Sequence, residues 1–206
     1  MIILLNGASS CGKSSIAKEL QLVFDDLFLG MSVDKFMSMV PSTHQGLGAK
    51  AAPMWSWKKG FDDYGELMTL QVGPRGNSYI LGMYECIGIM AERGFNIIVD
   101  DVCLDAELLK QIAAKLSQFK MYFIGVMCPL HILEKRERVR GNRVITSARG
   151  QHDSVHRFYE YDLMVDTSEA SARDCALQIK TFVEKNPGPQ ALKRLCGLDD
   201  SDFKIK

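Results

Sequence analysis

MIILLNGASSCGKSS, residues 1–15, is an apolar run that stops dead at a glycine. Ile2–Leu5 reads as a short buried strand, and Asn6-Gly7 ends it. The next residues, Gly7-Ala8-Ser9-Ser10-Cys11-Gly12-Lys13-Ser14, match G-x-x-x-x-G-K-[ST] at every specified position. Each residue type there has a physical task. Gly7 and Gly12 permit backbone angles that a side chain penalises. The N–H groups of the loop then converge as an anion nest, and the helix that follows adds its positive dipole end. Lys13 supplies a mobile positive charge, and Ser14 offers a hydroxyl to Mg2+. The whole stretch Gly7–Ser15 is therefore the candidate cradle for a nucleoside triphosphate, with ATP and Mg2+ as the expected cofactors. The motif alone does not choose between a kinase, a GTPase, an ATPase and a non-catalytic sensor.

Downstream, short apolar runs alternate with amphipathic stretches. Residues 27–33, 95–101, 120–128 and 161–167 read as further strands. Residues 14–24, 77–92, 105–117, 129–140 and 169–184 read as helices, the fourth opened by Pro129. This alternation predicts an α/β fold with a parallel five-stranded sheet and helices on both faces. Residues 41–76 interrupt the pattern with Gly, Pro, two Trp and a possible hairpin, and read as an insertion in a single domain spanning 1–185. Residues 186–206 read as a loosely packed tail.

The chain has 206 residues, and its 25 Lys plus Arg balance 25 Asp plus Glu. Without a net basic field, a polynucleotide or an anionic membrane is not an expected partner. No run approaches the roughly 20 apolar residues of a membrane span, and the short first run lacks the basic leader of a secretory signal. The six cysteines form no CxxC pair, which fits neither a disulfide framework nor a zinc site. A cytoplasmic protein is expected.

In an open α/β sheet, chemistry gathers beyond the carboxyl ends of the strands. Asp34 closes the second strand and Asp100-Asp101 close the third. One of Asp100 and Asp101 is expected to serve Mg2+ together with Ser14, and Asp34 to take the proton of an acceptor hydroxyl. The competing reading is that these residues cap the helices behind them. Residues 134–149, EKRERVRGNRVITSAR, interleave Arg136, Arg140, Arg143 and Arg149 with Gly141, and Gly150 follows. Arginine forks bind phosphate and flanking glycines let a segment close, so a lid at about 136–151 is expected. Arg140 and Arg143 are its preferred phosphate contacts. A solvated helix end is the alternative.

Five stretches carry a family resemblance: IILLNGASSCGKSSIAKEL, VDKFM, IIVDDV, IGVMCPLHILEKRERVRGNRV and HRFYEYDLMVDTS. Taken in this order across residues 1–185, the sequence resembles the chloramphenicol phosphotransferases. The resemblance implies a P-loop kinase-type sheet of strand order 2-3-1-4-5 and Mg-ATP-dependent transfer to a small-molecule hydroxyl. It also implies Asp34 as base, Lys13 and Ser14 in the phosphate loop, and Arg140 and Arg143 in the lid. Residues 41–76, which should shape the acceptor pocket, depart from the family. Asn142 stands where the family pattern RGDR has Asp.

Smaller features stay double-sided. Trp55 and Trp57 suit stacking on a flat acceptor or covering a hairpin. Cys11 is either a reactive thiol at a helix N-terminus or a filler. Arg75 suits an anion contact or the surface. Thr167 or Ser168 is either a border to the adenine or a helix cap. His44, His131, His152 and His156 have no metal-ligand spacing, though the last two suit one helix face. The expected function is a small-molecule kinase. A nucleoside or nucleotide kinase and a non-catalytic ATP-binding regulator are the alternatives.

Overall fold

The computed structural model describes residues 1–63, 65–141, 144–157 and 160–197. In chain order the elements are β1 (Ile2–Asn6), α1 (Lys13–Val23), β2 (Phe28–Ser32), α2 (Val33–Met37), β3 (Gln45–Gly46), β4 (Trp55–Asp62), β5 (Gly65–Val72), α3 (Pro74–Glu92), β6 (Asn96–Asp101), α4 (Ala106–Lys115), β7 (Met121–Met127), α5 (Leu130–Arg140), α6 (Ser147–His152), β8 (Leu163–Asp166), α7 (Ala172–Lys185) and α8 (Ala191–Cys196). Five strands form one parallel sheet in the order β2-β6-β1-β7-β8, and β3-β4-β5 form a separate sheet. Counted among its own five members, the parallel sheet runs 2-3-1-4-5. The three strands of the insertion are what shift the labels.

The central strands have apolar residues on both faces, as a doubly covered sheet requires. Pleat alternation sends Ile3, Leu5, Ile98 and Ile124 toward a cluster holding Ile16 and Leu20 of α1 and Cys175 and Ile179 of α7. Ile2, Leu4, Ile97 and Val99 face the opposite cluster, with Met83 and Ile87 of α3, Leu109 and Ile112 of α4 and Leu192 of α8. The segment read as a loose tail is therefore packed as far as α8, where Ala191 and Leu192 are buried. Residues 198–206 lie outside the described residues.

The insertion contains the hairpin, with β4 and β5 antiparallel from Trp55↔Val72 to Asp62↔Gly65. Helix α6 lies directly on β5. A Cβ at Gly150 would sit 2.3 Å from the Met68 backbone oxygen. Gly150 is therefore a close-approach glycine and not the hinge expected of it. Gly150→Ala should cost about 1–3 kcal/mol, the usual penalty of forced overpacking. A denaturant midpoint equal to that of the parent would show that α6 does not sit this tightly.

Candidate active site

Register levels the strand ends. Ser32 of β2 and Leu5 of β1 both pair with Asp100, and Asn6 pairs with Asp101. The chain leaving each strand therefore enters the same edge of the sheet. There a cleft of about 1210 Å³ is lined by the phosphate loop, Asp34, Asp100, Asp101, Arg136, Arg140, Trp55 and Trp57.

The loop is built differently from the sequence expectation in one detail. Gly12 has φ +104, but Gly7 is not among the positive-φ residues; Ser10 is, at φ 67. A Cβ at Gly7 would lie 2.6 Å from the Val126 oxygen and 2.7 Å from Cys11 Sγ. Gly7 thus answers to close packing, and Cys11, 1% exposed, to filling the space beside it. Lys13 is buried: its Nζ donates to the carbonyls of Gly7 at 2.8 Å and Ala8 at 2.9 Å. It lies 3.9 Å from Asp100 Oδ1. The Ser9 and Ser10 hydroxyls are buried without a hydrogen-bond partner. Buried polar atoms are rarely left so, and two orphaned hydroxyls in a loop with a lysine fit a polyanionic ligand. Ser14 Oγ donates to Asp100 Oδ2 at 2.5 Å, a pair of hard oxygens of the kind Mg2+ takes.

Asp100 and Asp101 part company through the pleat. Asp100 faces the N-terminus of α1. Asp101 faces α3, where its Oδ2 accepts from the Tyr84 hydroxyl at 2.6 Å and its Oδ1 from Val102 N at 2.6 Å. Burial pushes the Asp101 carboxyl and the Tyr84 phenol up from their ordinary values. The expected metal residues therefore divide: Ser14 and Asp100 are together, and Asp101 is engaged in the opposite layer.

Asp34 is not at the strand end but one residue into α2, which Ser32 caps by accepting from Lys35 N at 3.3 Å. It is exposed within the cleft. The capping alternative for Asp34 thus passes to Ser32. Asp100 and Asp101 cap nothing either: Asp105 caps α4.

The arginines separate into distinct tasks. Arg136 donates to Thr167 Oγ1 at 2.9 Å and to the Thr167 carbonyl at 2.8 Å. Thr167 Oγ1 in turn donates to the Cys11 carbonyl at 2.7 Å. Thr167 is thus a brace for the phosphate loop. Ser171, and not Thr167 or Ser168, caps α7 through a reciprocal box with Asp174. Arg149 pairs with Glu134, donating through Nε at 2.8 Å, and lies 3.6 Å from Asp62 of the hairpin. Arg140 is exposed and lines the cleft. Arg143, like Asn142, lies outside the described residues. The far half of the expected lid is fastened down: Glu137, 1% exposed, accepts from Thr146 N, Ser147 Oγ and Ala148 N.

Trp55 is buried edge-on against Tyr79, with ring centroids 5.5 Å apart, and Trp57 is half-buried. Arg75 is exposed and does not line the cleft. Among the described residues no group of three His, Cys, Asp or Glu is arranged for a metal ion. His152 ends α6 and His156 lies beyond it, so the two do not share a helix face. Residues that sequence reasoning missed are Glu137, Gln151 and the network behind the loop. Asn6 donates to the Val155 carbonyl at 3.0 Å and to the Tyr161 hydroxyl at 2.9 Å, and His156 Nδ1 lies 2.7 Å from that hydroxyl. The contacts of Asn6 and Gln151 join residues 142 or more apart in the chain, which no contiguous motif displays.

His156 makes the network sensitive to acid. Burial, with His152 and Lys13 adding positive charge, lowers its pKa from 6.5 to about 4. The unfolded chain then takes up the proton first, so stability falls as pH drops from 6.5 toward about 4. Urea midpoints should decline over that window, and His156→Asn should flatten the decline. Parallel pH curves for the two proteins would contradict this.

Residues 1–184 match the family model described as chloramphenicol phosphotransferase-like protein. A Mycobacterium tuberculosis (strain ATCC 25618 / H37Rv) protein with the provisional name O-phosphotransferase is 27% identical over 195 residues, 94% of this chain and 87% of its own. Mycobacterium tuberculosis APS kinase, solved with AMPPNP and APS, superposes with TM-score 0.58 at 16% identity, covering 89% of this chain and 96% of its own. The Deinococcus radiodurans tunicamycin resistance protein does so with TM-score 0.58 at 16% identity, covering 88% and 94%. At such identities the two structures speak to the fold alone. No helix among the described residues is long and apolar enough to cross a membrane.

Proposed function

The chain belongs to the chloramphenicol phosphotransferase-like family, and from that premise we propose that it is an ATP- and Mg2+-dependent kinase that transfers the γ-phosphate to a hydroxyl of a small molecule. The observation that carries the reading is the convergence of the phosphate loop, the Ser14–Asp100 pair and Asp34 on one cleft.

In this reading residues Gly7–Ser15 hold the phosphates of ATP through loop N–H groups and the Ser9 and Ser10 hydroxyls. Ser14 and Asp100 would hold Mg2+, whose charge would offset that of the phosphates. Lys13 exchanges the Gly7 and Ala8 carbonyls for the γ-phosphate. Arg140, with Arg143 as a second candidate, meets the phosphate from α5. Asp34 accepts the proton of the acceptor hydroxyl as its oxygen bonds to the γ-phosphorus. The bond from that phosphorus to the bridging oxygen breaks, and ADP leaves with the electron pair. Nothing in this transfer requires the polypeptide to bond covalently to phosphate, so positioning and charge do the work.

The acceptor side is supported by the cleft wall from residues 33–80. Val33, Met37, Trp55, Trp57, Leu70 and Ile80 are apolar or aromatic there, and the lining cations Lys13, Lys18, Arg136 and Arg140 all stand on the donor side. Among the described lining residues that wall has no cation to pair with an acceptor's phosphate. This favours an uncharged alcohol over a nucleotide or a polynucleotide as the acceptor. The proposed setting is the cytoplasm, supported by six free cysteines. ADP release, followed with ATP and Mg2+ over a panel of neutral alcohols, nucleosides and nucleotides, tests the reading. Release that depends on a neutral alcohol and stops with EDTA is expected. Release that responds only to nucleotides would transfer the chain to the nucleotide-kinase alternative.

A further inference from the structure

Gln151 sits where no phosphate-loop motif would place it. It is 5% exposed, and its Oε1 accepts from the N–H of Ser9 at 2.7 Å. The Ser9 N–H thus already has a partner, whereas the Ser9 and Ser10 hydroxyls beside it have none. An anion nest presents such N–H groups to phosphate, so one neutral amide oxygen occupies a donor that a charged oxygen would take in preference.

Gln151 is also fastened to the acceptor side. Gly150 rests on the Met68 carbonyl of β5, and Arg149 lies 3.6 Å from Asp62 at the end of β4. The same hairpin carries Trp57 and Leu70 into the cleft. Gln151 therefore stands in a segment that touches the hairpin of the acceptor wall.

We infer that Gln151 is a positioning residue that couples the two halves of the site: its amide holds the Ser9 N–H until a phosphate of the bound nucleotide displaces it, and its release shifts the β4–β5 hairpin. This rests on the nucleotide-binding reading above. The coupling differs from simple support of the loop because the contact must break for the ligand to bind.

The chain has two tryptophans, Trp55 and Trp57, both in the hairpin, so its own fluorescence reports the movement. In the parent protein, Mg-AMPPNP should change tryptophan emission, and in 15N spectra should shift both the Ser9 amide and the Gln151 side-chain amide. Gln151→Ala removes the competitor; calorimetry should show AMPPNP affinity raised about threefold to tenfold, with the emission change lost. Gln151→Glu keeps the shape but makes a charge-assisted bond to Ser9 and repels phosphate, and should weaken AMPPNP about tenfold or more. If the parent protein fails to bind AMPPNP, the nucleotide-binding reading itself falls and the inference with it. If the parent binds but Gln151→Ala keeps its affinity or its emission change, only the coupling is overturned. Should a variant not fold, the parent spectra decide: a shifted Ser9 amide beside an unmoved Gln151 side chain overturns it equally.

Discussion

Asp34→Asn is expected to lower phosphoryl transfer by about 10²–10⁴-fold, the range lost with a positioned general base. Asparagine keeps the size and a carbonyl oxygen but cannot hold the proton leaving the acceptor. The residue is exposed on α2, whose cap is Ser32 and not Asp34 itself, so α2 should keep its capped start in the variant. Binding of Mg-AMPPNP should stay near parental, because the donor loop is built from other residues. Turnover within a few-fold of the parent enzyme would remove Asp34 from the mechanism.

Lys13→Met is expected to cost about 10²–10³-fold in kcat, the scale at which a preorganised charge at the reacting group is lost. The methionine stem fills the buried space that the lysine stem now occupies. The ammonium disappears from between the Gly7 and Ala8 carbonyls and the Asp100 carboxylate. Lys13→Arg should not rescue it, because a planar fork does not fit a cradle that holds a point charge. Nucleotide affinity should fall less than kcat does, since the ion acts most on charge developing in transfer. An equal fall in affinity with kcat unchanged would make Lys13 a mere binding residue.

Much of the fold was legible because its signals are local. Each strand of the parallel sheet is a short apolar run, and each crossover helix carries an apolar stripe, so order and type could be read off Ile2–Asn6, Asn96–Asp101 and Met121–Met127. The phosphate loop was legible because its residues are contiguous. The fate of Asp100-Asp101 was not. Adjacent carboxylates look like one site in a sequence, but the pleat sends them to opposite layers, toward Ser14 and Tyr84. The separate tasks of the arginines were hidden for a related reason. Their charge is visible in EKRERVRGNRVITSAR, whereas the partners Thr167 and Asp62 lie elsewhere in the chain, and nothing in the stretch marks Glu134 as the partner of Arg149. Gly150 and Gln151 carry no signal of their own. One is a glycine because a strand passes 2.3 Å from where its Cβ would be; the other touches Ser9 across a separation of 142 residues.

The destination of the γ-phosphate is the most direct test of the proposed kinase. [γ-32P]ATP and Mg2+ should be incubated with the parent enzyme and with Asp34→Asn, over neutral small alcohols, nucleosides, nucleotides and oligonucleotides, and the products separated. The predicted result is label on the hydroxyl of a neutral small alcohol, abolished by EDTA and nearly abolished by Asp34→Asn. Label found only on a nucleotide or an oligonucleotide end, or ATP bound with no transfer across the panel, would contradict it.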